Sequence, residues 1–228
     1  NLSSHDVMLD TPTKNYAVLN PLDKPAYSNR TPAVLTEGNV KAVLDDLTGI
    51  TGTIGINQSS ATSSKWYVEY YYISQSGAGG DDRACFGFEG TDHAIDNSSR
   101  GYNVNLGTGS GWEFVAVYSD TGAFQNMANN PVGSSLGGNV TVGDIVGVAF
   151  DLENNKFYAH KNGNWGDGSG WNQSSFSNAS GMDIPSGKTW VPAIYNQGGA
   201  TATVAFNGGS DPTFGGNKTS GQDTTQSE

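Results

Sequence analysis

The sequence predicts an all-β protein, a two-sheet antiparallel sandwich or jelly roll, on three observations. Glycine makes up 32 of 228 residues while charged residues are only 14%. Short runs of alternating or continuous apolar residues recur from Thr51 onward, and Gly, Asn, Asp and Ser clusters punctuate them. Such a mix arises from many short strands joined by tight polar turns, because aromatic and β-branched side chains suit a pleated surface and small polar residues suit turns. The length fits one large all-β domain with a sizeable core.

Residues 1–35 read as an extended N-terminal arm. Pro12, Pro21, Pro25 and Pro32 bias their predecessors away from helix, and Val7, Leu9, Val18, Leu19 and Leu22 are its candidates for packing on a sheet. Residues 36–47 fit two descriptions. Thr36 could cap a helix carrying Val40, Val43, Leu44 and Leu47, or a strand from about Asn39 to Val43 could end in a turn at Asp45-Asp46; periodicity does not choose between them.

The strongest strand is Lys65–Ile73, with Trp66, Val68, Tyr70 and Tyr72 on one face and Tyr67, Glu69, Tyr71 and Ile73 on the other. A Gly-rich loop, Ser76–Asp82, leads to a strand at Ala84–Phe88. Tyr102–Leu106 and Trp112–Tyr118 read as two more, followed by a long polar stretch, Ser119–Asn139, broken by Pro131. Asp144–Asp151 is a near-continuous apolar strand paired with Lys156–Lys161 across a two-residue Asn154-Asn155 turn. Trp190–Tyr195 and Thr201–Phe206 read as a late hairpin around Gly198-Gly199. The count is about ten strands over residues 36–214, and residues 215–228, without an apolar anchor, read as a flexible tail or linker.

A net charge of −11, spread along the chain, leaves no basic footprint for nucleic acid and disfavours an anionic membrane. The lone cysteine, Cys85, excludes an intrachain disulfide and a Cys-type metal site, and its apolar setting marks it as a buried small residue. No apolar run approaches membrane-spanning length. The chain begins at Asn1 with no visible signal peptide, and is expected to start inside a longer product or after processing.

Six landmarks, in order, resemble the SPRY domain family. Lys65-Trp66-Tyr67-Val68-Glu69 resembles its early K-W-Y-x-E strand, and Gly101-Tyr102 a Gly-Tyr pair. Gly143-Asp144-Ile145-Val146-Gly147-Val148-Ala149-Phe150-Asp151 is similar to G-D-x-I-G-x-x-x-D. Lys156-Phe157-Tyr158-Ala159-His160-Lys161-Asn162-Gly163 resembles the strand and N-G turn that follow. Trp190-Val191-Pro192-Ala193 is similar to x-x-P-A. Val204-Ala205-Phe206-Asn207-Gly208 with Pro212-Thr213-Phe214 resembles the closing segment, with Phe and Asn in reversed order. The resemblance implies a concanavalin-like SPRY-type sandwich across residues 51–214 and favours the strand reading of 39–43. The lead-in, His5–Thr13 and Leu19–Leu22, is similar to that of SPRY-containing structural proteins of tailed bacteriophages and marine viral sequences, which implies a place on a virion.

The landmark residues have structural work to do. Trp66, Phe150, Phe157, Trp190 and Phe206 are expected in the core. Asp144 and Asp151 bracket a strand where short carboxylates accept backbone N–H bonds, and Asn162-Gly163 suits a turn with positive φ.

No catalytic constellation emerges. Glycoside hydrolysis needs two carboxylates across a cleft; the nearest match, Asp151-Leu152-Glu153, reads better as a turn. Of His5, His93 and His160, none accompanies a Gly-x-Ser-x-Gly elbow; His160 reads as a sheet-face residue and His93 as a loop residue. Asn162–Ser169, Asp81-Asp82 and Asp92 are weak calcium candidates that fit plain turns. Gly77–Gly80 lacks the lysine of a phosphate cradle. No cofactor and no metal site are expected.

Binding remains. Trp165 and Trp171, with Asp167, lie in a loop over Gly163–Asn172 that reads as too Gly-rich for a core strand, and Trp112, Tyr102, Tyr118, Tyr195 and Asn196 join them as candidate contact residues. Against this stands the reading that each aromatic plugs its own loop. The expectation is a non-enzymatic binding domain of a virion fibre or surface appendage at the virion or extracellular surface. It would contact a host-surface glycan or protein through its loops, as a homo-oligomer among other virion or appendage subunits. The alternative is a capsid-decoration or tail subunit whose loops mediate assembly, and a cellular SPRY adaptor with a peptide ligand is a third reading.

Overall fold

A computed structural model of the chain describes residues 16–23, 31–46, 48–57, 65–77, 83–90, 114–125, 131–166, 181–198 and 201–218. Among these residues there are strands, turns and no helices. The first sheet runs β1 (Val34–Thr36), β2 (Lys41–Leu44), β15 (Ala202–Asn207), β5 (Lys65–Gln75), β10 (Ile145–Asp151), β11 (Lys156–Lys161) and β12 (Asn164–Trp165), with β13 (Met182–Asp183) also paired to β11. The second runs β3 (Thr48–Thr51), β14 (Thr189–Gln197), β6 (Arg83–Gly90), β7 (Phe114–Tyr118), β8 (Ala123–Gln125) and β9 (Pro131–Ser135), with β4 (Ile56–Asn57) paired to β14. Every pairing is antiparallel. The fold is the all-β, two-sheet sandwich that the alternation predicts.

The core lies between the sheets. Val68, Tyr70 and Tyr72 of β5 meet Phe86 and Phe88 of β6, while Phe150, Phe157 and Trp190 form an aromatic group whose rings lie 5.3–5.7 Å from Phe150. Tyr70 is buried with its hydroxyl donating to the Gly87 carbonyl at 2.7 Å, and burial drives its acidity far below that of a free phenol. The strand reading of the segment near residue 40 holds. Glu37, Gly38 and Asn39 all adopt positive φ in the turn before β2, which a helix does not tolerate.

Four expectations are corrected. The turn between β10 and β11 holds four residues, since Asp151 pairs with Lys156; Asp151 Oδ1 accepts the amides of Glu153 and Asn154 and sets that wider geometry. β14 and β15 are not a hairpin. β14 pairs with β3, β4 and β6, β15 with β2 and β5, so the chain crosses from one sheet to the other between them. The polar stretch after Ser119 contains β8 and β9, with Pro131 as the first residue of an edge strand, a position that tolerates proline. Trp66 is 43% exposed although it shares a face of β5 with the buried Val68, Tyr70 and Tyr72, because it lies near the start of the strand, where the burial pattern opens to solvent.

Two segments flanking the strands close the sandwich. Leu19 is fully buried between a bond from its N–H to the Asn39 carbonyl (2.9 Å) and a bridge to Gly52, which ties the two sheets along one side. Leu22 faces solvent, and Val7 and Leu9 lie outside the described residues. After β15 the chain folds back over the outer face of the first sheet. Phe214 (φ 54°) is buried against Tyr71, its ring 5.7 Å away. Asp211 holds this turn through the amides of Thr213 (2.8 Å) and Gly215 (2.7 Å). Residues 215–218 belong to this strap: Asn217 Nδ2 donates to Glu37, and Lys218 lies 4.9 Å over the Tyr71 ring. Residues 219–228 lie outside the described residues.

Candidate functional site

Antiparallel register assembles one polar row on the outer face of the first sheet. Asn207 of β15 pairs with Glu69 of β5, Glu69 with Gly147 of β10, Gly147 with His160 of β11, and His160 with Trp165 of β12. These residues are far apart in sequence, and only the ladder aligns them. Glu69, His160 and Trp165 are all buried, and Tyr67, two residues before Glu69 on the same face, is 39% exposed.

Hydrogen bonds run along the row from both ends and converge on Glu69. The Gly163 N–H donates to His160 Nδ1 at 3.1 Å, which puts the imidazole proton on Nε2. Nε2 lies 2.6 Å from the Tyr67 hydroxyl, and that hydroxyl donates to Glu69 Oε1 at 2.8 Å. Glu69 Oε2 accepts from Asn207 Nδ2 at 3.1 Å, and Asn207 Oδ1 accepts the Gly209 amide at 2.9 Å. The buried carboxylate is thus satisfied on both oxygens, which burial of a charge demands. The rings lock together as well. Tyr67 stacks on His160 (5.8 Å, 21°), and Trp165 meets His160 edge-on at 4.6 Å and Tyr67 at 6.1 Å. Gly147 makes room for them: a Cβ there would overlap His160 Nε2 and crowd the Tyr67 hydroxyl. Ala149 and Tyr158 flank the row as a small apolar patch with Trp165. Burial, then the charges of Asp151 and Asp183, raise the Tyr158 phenol above its ordinary value.

The turn beside the row is separately pinned. Asn162 Nδ2 donates to Asp144 Oδ1 at 2.6 Å, and Asn162 Oδ1 accepts the Ile145 amide at 2.9 Å. Asp144 Oδ2 also accepts the Thr141 amide and hydroxyl. Partial burial pushes the Asp144 carboxyl up, but the Thr141 and Asn162 bonds and the charge of Lys161 outweigh it and hold the group below its usual value. The G-D and N-G landmarks, 18 residues apart, are two halves of one contact.

The candidates drawn from sequence do not form one site. Trp165 is buried in β12, not in a loop, because pairing with His160 lays it over the row; the Gly-rich connection begins after it. Tyr118 and Tyr195 are buried on the outer face of the second sheet, the opposite side of the molecule from Trp165. Tyr195 donates to Glu89 Oε2 at 2.7 Å and packs edge-on against Phe114. Asn196 is buried and ties β14 to the other sheet by donating to the Leu44 and Asp45 carbonyls. Trp171, Asp167, Trp112 and Tyr102 lie outside the described residues, as do His93, Asp81, Asp82 and Asp92. Tyr67, Glu69 and Gly147 escaped the sequence reading as a site because each has a sufficient local explanation as strand or family landmark. The shared face of Tyr67 and Glu69 was the available signal. Among the described residues no group of three His, Cys, Asp or Glu could hold a metal ion.

The architecture defines an SPRY-type, jelly-roll β-sandwich. Among solved structures the chain is similar to the SPRY domain of human HERC1, with a TM-score of 0.52 and 13% identity over 78% of this chain and 92% of that one. At that identity the likeness concerns the fold. No family model matches the sequence, and no curated protein matches it.

Proposed function

We propose that the chain is a non-enzymatic recognition domain whose contact surface centres on Tyr67 and the neighbouring edge of the first sheet, where the chain leaves β12 after Gly166. The carrying observation is Tyr67: a half-exposed aromatic side chain held by His160, Glu69 and Trp165 on a rigid sheet. An aromatic already fixed in place gives contact area at little entropic cost on binding. Sugar rings stack on such a surface and protein side chains pack on it. The similarity of the lead-in to tailed-phage structural proteins supports display on a virion fibre or appendage, with a host-surface glycan or protein as target. Trp171, Asp167, Trp112 and Tyr102 remain candidates for the same surface.

The test is binding of the whole chain to an array of bacterial surface polysaccharides and to intact host cells. Tyr67→Ala and Trp171→Ala are each expected to weaken binding at least about tenfold, the effect of losing roughly 1.4 kcal/mol of contact, with thermal unfolding showing both still folded. Wild-type binding by both variants would overturn the reading.

A structural subunit is the second reading. It is favoured by Leu22 and Val34, which are 83% and 54% exposed, Val34 on the edge strand β1. Unpaired edges and exposed apolar side chains suit contact with a neighbouring subunit. Sedimentation of the chain as a homo-oligomer, lost on Val34→Lys, would support it.

A further inference from the structure

We propose that His160 is a protonation-controlled latch on the Asn162–Trp165 turn: the neutral ring holds the turn closed and mild acid releases it. This goes beyond recognition and stands whether or not the surface binds anything.

The two ring nitrogens face opposite demands. Nδ1 accepts the Gly163 N–H, and an acceptor there must carry a lone pair. Nε2 faces the Tyr67 hydroxyl, behind which stands the Glu69 carboxylate. Uptake of a proton places an N–H on Nδ1, pointing at the Gly163 N–H, donor against donor. On the other side the positive ring gains from Glu69 through Tyr67. The charge therefore has a counter-ion inside the row, and its cost falls on the Gly163 bond.

The groups around the ring show what gives way. β5 presents Tyr67 and Glu69, both titratable; β15 presents the neutral Asn207; β10 presents Gly147 and β12 presents Trp165, neither of which titrates. Tyr158 stands two residues away on the same face, and Asp144 lies across the turn bound to Asn162. Lys161 points elsewhere, to the Asn139 carbonyl. The ring cannot retreat, because β11 is paired on both sides and Trp165 and Tyr67 cover it. Asn162 cannot swing either, since Asp144 and Ile145 hold it. Between these fixed points lies Gly163, at φ 83°, and then β12, a two-residue strand on the sheet edge. The release is confined to Gly163, Asn164 and Trp165, since beyond them the Gly166 N–H is held by the Ala159 carbonyl at 3.1 Å.

Amide hydrogen exchange and ring-carbon NMR of the whole chain test this between about pH 7.5 and pH 5, the range in which histidine ordinarily titrates. Protection at Gly163 and Trp165, corrected for intrinsic exchange, is expected to fall about tenfold, the equivalent of one lost hydrogen bond. The fall should follow the titration of the His160 ring, while the β5–β10 ladder stays protected. His160→Gln should abolish the pH dependence. If that variant does not fold, Tyr67→Phe serves instead: it removes the link to Glu69 and should move the transition to lower pH. Unchanged protection at Gly163 across the range, or a ring that does not titrate before the ladder opens, would overturn the proposal.

Discussion

The outer faces of the two sheets carry the same pair of residue types, a buried glutamate bonded to a tyrosine hydroxyl, and use it differently. On the second sheet Glu89 and Tyr195 sit among Phe114, Cys85, Ala116 and Ala193, and the tyrosine itself is buried. On the first sheet Glu69 and Tyr67 belong to a longer polar row with His160 and Asn207, and the tyrosine opens to solvent. The second-sheet pair is set in an apolar patch and reads as structure. The first-sheet pair presents a fixed aromatic surface and carries a titratable ring. Identical chemistry thus becomes scaffold or surface according to what covers it.

Three measurements would break or sharpen this contrast, the first with the largest effect. Each face contains a central glycine against which a side chain or backbone presses. A Cβ at Gly87 would run into the Val115 carbonyl and the Ala116 backbone, whereas a Cβ at Gly147 would meet only side-chain atoms of His160 and Tyr67. Backbone in a paired ladder yields less than side chains do. Gly87→Ala is expected to cost about 3 kcal/mol and Gly147→Ala about 2 kcal/mol in urea unfolding. The reverse order would mean that the His160 row is stiffer than the β6–β7 ladder.

Removing the two hydroxyls should separate the faces next. Tyr195→Phe removes a hydrogen bond from the buried Glu89 and should cost about 2 kcal/mol. Tyr67→Phe removes two bonds, yet its position lets water approach, and about 1 kcal/mol is expected. Equal losses would mean that the first face is as closed as the second.

The smallest effect concerns Asp144, whose carboxyl is held below its ordinary value. Because the folded state binds that proton less tightly than the unfolded chain, Asp144 stabilises the fold above the unfolded value near pH 4, and the contribution is lost as pH falls through the lower folded value. Much of the group is open to solvent, so Asp144→Asn should cost under about 1 kcal/mol at neutral pH. The difference from wild type should shrink toward pH 3. A difference independent of pH would assign the effect to hydrogen-bond geometry alone.

Much of the frame was readable from residue order. Alternation in Lys65–Ile73 sorted its side chains onto the correct faces, and the β6, β10 and β11 strands fell close to their expected bounds. Trp66 shows the limit of that reasoning. Its face is right, but its burial depends on what packs over that position from elsewhere in the chain, which no local pattern encodes. Trp165 fails in the other direction: glycines around it suggest a loop, yet a two-residue pairing with β11 is enough to bury it.

The sequence alone determined the all-β class, the alternation of faces, the turns at Asn162-Gly163 and the order of the landmarks, because these follow from side-chain period and local backbone preference. Tertiary structure decided which strands share a sheet, so that β14 and β15 part company, and it decided the register that brings Asn207, Glu69, Gly147, His160 and Trp165 into one row. The physical reason is that strand pairing is non-local. Each backbone edge accepts many partners, and the choice among them is made by the packing of the whole core.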